Sequence, residues 1–130
     1  MNVSSPQPRP IITFYSYKGG TGRSMAVANI ACLLAKRVTN SSQRILVMDW
    51  DLEAPGLHRF FTRSEQPEND NRPGIINYLC ALRQKLGETQ NLYKEMVAEE
   101  GWKILDKVLP LDDYIISDVA PGLDFIKAGR

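Results

Sequence analysis

The sequence predicts an α/β fold with a parallel sheet, and three observations predict it. A short β-branched and aromatic run, Ile11 to Ser16, breaks at Gly19, Gly20 and Gly22 and gives way at Ser24 to an alanine-rich apolar run that ends at Ala35. A second apolar run, Arg44 to Met48, follows a polar turn. Strand, helix and strand succeed one another at the spacing of a right-handed βαβ unit, whose two strands lie parallel.

Length and composition set the frame. A chain of 130 residues has room for one domain and one core. With 43% apolar residues and a net charge of +1, bulk composition indicates neither disorder nor a general affinity for polyanions. Cys32 and Cys80 fall on expected apolar helix faces, with no metal-ligand spacing and no disulfide framework, and read as buried, inert thiols. The first ten residues, MNVSSPQPRP, are polar and proline-broken and read as a flexible arm. They lack the apolar core of a signal peptide, and no later run approaches the roughly 20 apolar residues of a membrane span. The expected location is the cytoplasm.

Each element has its own justification. Ile11 to Ser16 is a short, largely apolar run of the kind covered on both faces in a parallel sheet. The helix after it carries Ala26, Val27, Ile30, Ala31, Leu33 and Leu34, apolar over most of its circumference, and is therefore expected to be buried. Lys36 and Arg37 close it, where cations favour the negative end of the helix dipole. Arg44 to Met48 is the second buried strand and ends in the acidic turn DWDLEAPGL, Asp49 to Leu57. Leu57 to Phe61 reads as a short helix, 62–73 as a polar loop, and Gly74 to Lys85 as the next helix. Leu92 to Leu109 is largely helical in pattern, with Gly101 as a break. Tyr114 to Val119 and Leu123 to Ala128 read as strands joined by the Ala120-Pro121-Gly122 turn.

The chemistry concentrates between the first strand and the first helix. A glycine loop in that place directs backbone N–H groups into a concavity, with the positive end of the helix dipole behind them, and so suits a phosphate chain. In Lys18-Gly19-Gly20-Thr21-Gly22-Arg23-Ser24 the last three places hold glycine, a cation and a hydroxyl. The standard phosphate loop has glycine where Tyr17 stands and lysine where Arg23 stands. Arg23 keeps the charge in a bulkier, planar form. The Ser24 hydroxyl is placed to ligate magnesium. A glycine turn with a serine cap and no ligand is the plainer alternative for this stretch.

YKGGTGRS, a buried helix, a strand and then DWDLEAPGL together resemble the deviant Walker A ATPases of the ParA/MinD group, and more narrowly its KGG-x-GR-S subgroup. The group includes partitioning and division-site ATPases, nitrogenase iron protein and bacterial tyrosine autokinases. The resemblance is strong over residues 11–61 and weak beyond. It implies a P-loop NTPase-like (Rossmann-like) three-layer fold with a parallel sheet, binding ATP and Mg2+. By that resemblance the nucleotide would lie on Lys18, Gly19, Gly20, Thr21, Gly22, Arg23, Ser24 and Met25. Lys18 matches the signature lysine that reaches across a dimer to the partner's nucleotide, which implies an ATP-dependent homodimer. Asp51 aligns with the aspartate that orients the attacking water, and Asp49 with the one near magnesium, through a coordinated water. Lys18 and Asp51 are thus the implied catalytic residues, and Ser24 and Asp49 the metal residues. Without the loop, Asp49 and Asp51 would read as solvated acids at a strand end; as alternate residues they share a side only while the chain stays extended.

The implied function is an ATP-driven dimer switch in positioning, partitioning or signalling. A non-hydrolysing nucleotide-sensing module and a tyrosine autokinase relative are the alternatives. Family domains run to about twice this length, so residues 11–130 are expected to be the N-terminal portion of one, with an incomplete sheet and negligible hydrolysis alone. Asp118, at the end of YIISD, is a candidate for the Walker B aspartate, although GLDFIKAGR resembles the strand that precedes it. His58, Trp50, Phe60 and Phe61 read as packing residues. Arg59, Arg63 and Arg72 are scattered, so DNA contact is possible but not indicated. The sequence names no cargo or partner protein.

Overall fold

A computed structural model describes residues 9–61, 71–88 and 101–129, the last range without the side chains of 101–104. Within these residues the elements are α1 (Arg23–Val38), β1 (Ile45–Met48), α2 (His58–Phe61), α3 (Ile75–Glu88), α4 (Gly101–Val108), a 3-10 turn (Leu111–Tyr114), β2 (Ile116–Ala120) and β3 (Leu123–Ile126). The fold is mixed α/β on a small open sheet of three strands in the order β1-β3-β2.

The sheet is mixed rather than all-parallel. β1 runs parallel to β3, with Val47 opposite Phe125 and Met48 opposite Ile126. β2 and β3 form an antiparallel hairpin around Pro121-Gly122, where Gly122 takes the left-handed conformation (φ 74°) that the turn needs. The β1–β3 ladder continues at both ends, through Ile45 N–H to the Gly122 carbonyl (3.0 Å) and Asp49 N–H to the Ile126 carbonyl (2.9 Å).

The expected first strand is absent. Residues 11–16 have no regular structure; Ile11 is 92% and Tyr15 74% exposed. A strand exists only where a ladder satisfies its backbone groups. Among the described residues β1 pairs on one edge only, with β3, and no strand from 11–16 pairs on the other. The βαβ unit over 11–48 is therefore not formed, and the parallel partner of β1 is β3, from the far end of the chain.

Side-chain alternation along the strands divides the core between the two sheet faces. On one face Val47, Ile116, Val119, Leu123 and Phe125 pack with Ala28, Ala31 and Ala35 of α1 and with Leu57 and Phe61. On the other, Ile126 and Met48 pack with Ile75, Tyr78, Tyr114 and Leu111. α1 buries one stripe only. Its three buried alanines recur at helical spacing and let the helix axis come close to the sheet, whereas Leu33 and Ile30 are exposed. The expectation of burial over most of the circumference fails because, among the described residues, α1 packs only on one sheet face and on α2. The two thiols also differ from expectation: Cys32 is half-buried at the edge of the α1 core stripe, and Cys80 is exposed.

The other boundaries shift for local reasons. Tyr114 belongs to the 3-10 turn, so β2 starts later than expected. β3 stops at Ile126 because the next two carbonyls serve another element: Lys127 and Ala128 accept the N–H groups of Ile75 (2.9 Å) and Ile76 (2.8 Å), which the start of α3 leaves without helical partners. The helices expected over 57–61 and 74–85 appear as α2 and α3. The expected loop over 62–70, the expected helical pattern over 92–100 and the expected arm over 1–8 lie outside the described residues.

Candidate functional site

The glycine loop is built as the sequence leads one to expect. Gly20 (φ 73°) and Gly22 (φ 76°) are left-handed, a conformation that L side chains rarely adopt. Gly22 is the residue from which α1 starts; its carbonyl takes the first helical bond, from Ala26 N–H (2.9 Å), and no side chain caps the helix. The first N–H groups of a helix have no partner within it. They stand here at the positive end of a 16-residue helix with no acidic residue in its first turn. A Cβ placed at Gly19, Gly20 or Gly22 would meet nothing within 4 Å, so the loop surface is open.

The acidic turn meets this loop from the end of β1. Asp49 is buried (2% exposed); its Oδ1 accepts the N–H of Asp51 (3.0 Å) and its Oδ2 that of Leu57 (3.2 Å). The chain leaves the extended path after Asp49, so the two carboxylates part company. Asp49 turns beneath its own loop, and Asp51 turns to the glycine loop, where its Oδ2 is ion-paired with Arg23 Nη2 and its Oδ1 accepts Ala54 N–H (3.1 Å). Gly56 passes Ser24, and a Cβ there would sit 3.7 Å from the Ser24 hydroxyl.

Arg23 is held from the other side by Ser16. Its Nη1 donates to the Ser16 hydroxyl (3.1 Å) and carbonyl (3.3 Å); the Thr21 hydroxyl also donates to Ser16 Oγ (3.3 Å), which itself donates to the Lys18 carbonyl (3.3 Å). Around these groups lies a concavity of about 440 Å³, lined by Ser16, Lys18, Gly19, Gly20, Thr21, Gly22, Arg23, Ser24, Met25, Asp51, Ala54 and Phe60. The structure thus brings every loop residue named from the sequence together with Asp51. Asp49 is behind the wall rather than on it.

Ser16, Ala54 and Phe60 are lining residues the sequence reading did not name. Ser16 carries a signal in retrospect, being the last hydroxyl before the loop. Phe60 and Phe61 were both expected to pack, yet neighbours on a helix point in different directions. Phe61 packs on Phe125 (ring centroids 5.2 Å apart), whereas Phe60 and Trp50 are about half exposed.

Asp118 does not join the site. It lies at the opposite end of β1, left-handed (φ 55°) at a bulge of the β2–β3 hairpin, and pairs with Arg44 (2.5 Å). Arg44 also holds Asp124 (Nε 2.7 Å, Nη2 2.6 Å), and these bonds, helped by the Asp118 N–H, keep the Asp124 carboxyl below its ordinary range against the opposing effect of burial. Arg59 is exposed, Arg72 donates to the Ile115 carbonyl, and Arg63 lies outside the described residues. Among the described residues no three His, Cys, Asp or Glu side chains cluster as metal ligands, and no helix is long and apolar enough to cross a membrane.

Comparison with protein-family models, with curated proteins and with solved structures gives no match.

Proposed function

We propose that this chain is an ATP-binding, magnesium-dependent P-loop ATPase domain of the ParA/MinD type, acting as an ATP-driven dimer switch in positioning, partitioning or signalling. The observation that carries the reading is convergence: the glycine loop at the start of α1 and the carboxylate of Asp51 share one concavity, although 28 residues separate Arg23 from Asp51. On this reading the loop N–H groups and Arg23 hold the phosphates, and Asp51 orients the attacking water. Catalysis would be positioning and charge stabilisation, without a covalent intermediate. Lys18, exposed on the concavity wall, is the residue that would reach a second subunit's nucleotide.

The residues fit magnesium in one respect. The Ser24 hydroxyl lines the concavity at the start of α1, and a hard ion that keeps most of its waters needs few protein ligands. Ser24 would hold the ion, whose charge would neutralise the phosphates. Asp49 is buried behind the wall of the concavity rather than lining it, so a link from Asp49 to the ion would run through water.

Calorimetric titration of ATP with and without magnesium tests the reading. The expected result is binding that strengthens with magnesium, with that gain reduced about tenfold or more in Ser24→Ala. ATP affinity indifferent to both magnesium and Ser24 overturns it. The pairing of Arg23 with Asp51 favours one second reading, a nucleotide-sensing module that does not hydrolyse, because it ties up the group that would orient water. Phosphate release by the ATP-bound protein separates the two.

A further inference from the structure

Arg23 is shared between two sides of the concavity. Nη1 is bound to Ser16 on the entering chain and Nη2 is ion-paired with Asp51 on the acidic turn, each charged side chain being 30% exposed. Arg23 is also the first residue of α1, beside the N–H groups suited to a phosphate chain. A guanidinium edge takes one carboxylate or one phosphate edge. Both on Nη2 would set two like charges within about 4 Å of each other.

We infer that Asp51 competes with a phosphate chain for Arg23, so that binding a polyphosphate anion and freeing the Asp51 carboxylate are one event. The inference rests on the reading that the concavity takes a nucleoside triphosphate. Ser16 is the positioning residue. Its hydroxyl and carbonyl hold Nη1 while Nη2 changes partner, which keeps the guanidinium within the loop. Asp51 keeps a second hold of its own, from Ala54 N–H to Oδ1, so the released carboxylate stays beside the loop. The charge arithmetic makes the exchange directional. With Asp51 on Arg23 the pair is neutral, and among the described residues the Lys18 ammonium is the cation on the concavity wall with no ion-pair partner. A polyphosphate meeting the loop amides first would then displace a single carboxylate.

Such an exchange differs from a static brace in the sign of one effect. If Asp51 merely braced the loop, removing its charge would weaken anion binding. If it competes, removing the charge strengthens binding. Trp50 provides an optical reporter, because it is adjacent to Asp51 and 58% exposed. The test uses the full chain with Trp102→Phe, which leaves Trp50 as the sole tryptophan. Inorganic pyrophosphate and ATP are titrated by calorimetry into this protein and into Asp51→Asn, Asp51→Glu and Ser16→Ala versions of it.

Asp51→Asn is expected to bind pyrophosphate about two- to fivefold more tightly, the scale set by a partly exposed ion pair, and Asp51→Glu to return towards the parent affinity. Pyrophosphate should shift Trp50 emission in the parent, whereas Asp51→Asn should show the shifted emission before any is added. Ser16→Ala should weaken pyrophosphate binding relative to the parent. Equal or weaker pyrophosphate binding by Asp51→Asn overturns the competition and leaves the nucleotide reading standing if ATP still binds. Failure of every version to bind either anion overturns both.

Discussion

The carboxylate of Asp49 reaches the backbone N–H of Leu57, eight residues along the chain, at 3.2 Å. Its other oxygen holds the N–H of Asp51, so one buried side chain closes both ends of the acidic turn. Leu57 is a core residue packed with α1 and the sheet, and the clip therefore ties the position of Asp51 to the hydrophobic core. Asp49→Ala leaves two N–H groups without their charged acceptor and should lower the unfolding free energy by about 2–4 kcal/mol. Asp49→Asn keeps one acceptor oxygen and should lose about half as much. Urea denaturation followed by circular dichroism checks both. Equal stability of Asp49→Ala and the parent would show that the turn is held by other means.

Gly74 forms the second junction of the fold. A Cβ there would lie 2.3 Å from the Gly129 nitrogen and 2.4 Å from the Lys127 carbonyl oxygen, both backbone atoms. The Lys127 carbonyl is, with that of Ala128, one of the two that cap α3, so a methyl group would push α3 away from the exit of β3. Gly74→Ala should cost about 1–3 kcal/mol, the range for overpacking a tight site. Gly87→Ala is the internal comparison: it is exposed near the end of the same helix, with nothing within 4 Å of its Cβ, and should be neutral or slightly stabilising. Thermal melts of the two variants compare the effects directly.

The glycine loop and the start of α1 were legible because glycine spacing and the helix pattern are local signals, and both act within a few residues. The end of β1, the helix α2 and the start of α3 were legible for the same reason. What stayed hidden depends on distant partners. Ile11 to Ser16 has strand composition, yet composition does not assign a ladder, and β1 pairs instead with Leu123 to Ile126. Ile30 and Leu33 look like core, but whether an apolar helix face is covered depends on which elements pack on it, and among the described residues α1 packs on the sheet and α2 with its stripe of Ala28, Ala31 and Ala35. In the site, Asp51 could be aligned with the loop by pattern, while the divergence of Asp49 depends on a bend that no spacing rule encodes. Ser16 was missed because a hydroxyl at the end of an expected strand carries no distinctive pattern.

Acid should act first at the end of the sheet away from the concavity. Arg44 holds Asp124 below the ordinary carboxylate range. A carboxyl whose folded pKa is depressed contributes stability that is fully present above its unfolded pKa, about 3.9, and is lost as pH falls through the folded value. Unfolding midpoints measured from pH 6 down to pH 2 should therefore fall steeply below about pH 4. Arg44→Met removes the partner that depresses Asp124 and should lower the midpoint at pH 6 while flattening the acid limb. A parallel loss at every pH would indicate lost packing of the arginine stem rather than loss of the charge partner.

Lys18 gives the proposed dimer switch its sharpest test. The side chain is exposed on the concavity wall and has no ion pair among the described residues, so its truncation leaves no buried charge behind. If Lys18 serves the nucleotide of a second subunit, Lys18→Ala should abolish the ATP-dependent increase in sedimentation coefficient. The affinity of the single chain for ATP would change by no more than about threefold, the scale of one exposed charge near the site. If Lys18 serves only its own loop, the reverse holds: ATP binding weakens by tenfold or more and any association that remains at saturating ATP is unchanged. Sedimentation velocity at saturating ATP, paired with calorimetry on the same samples, separates the two because each outcome moves a different observable.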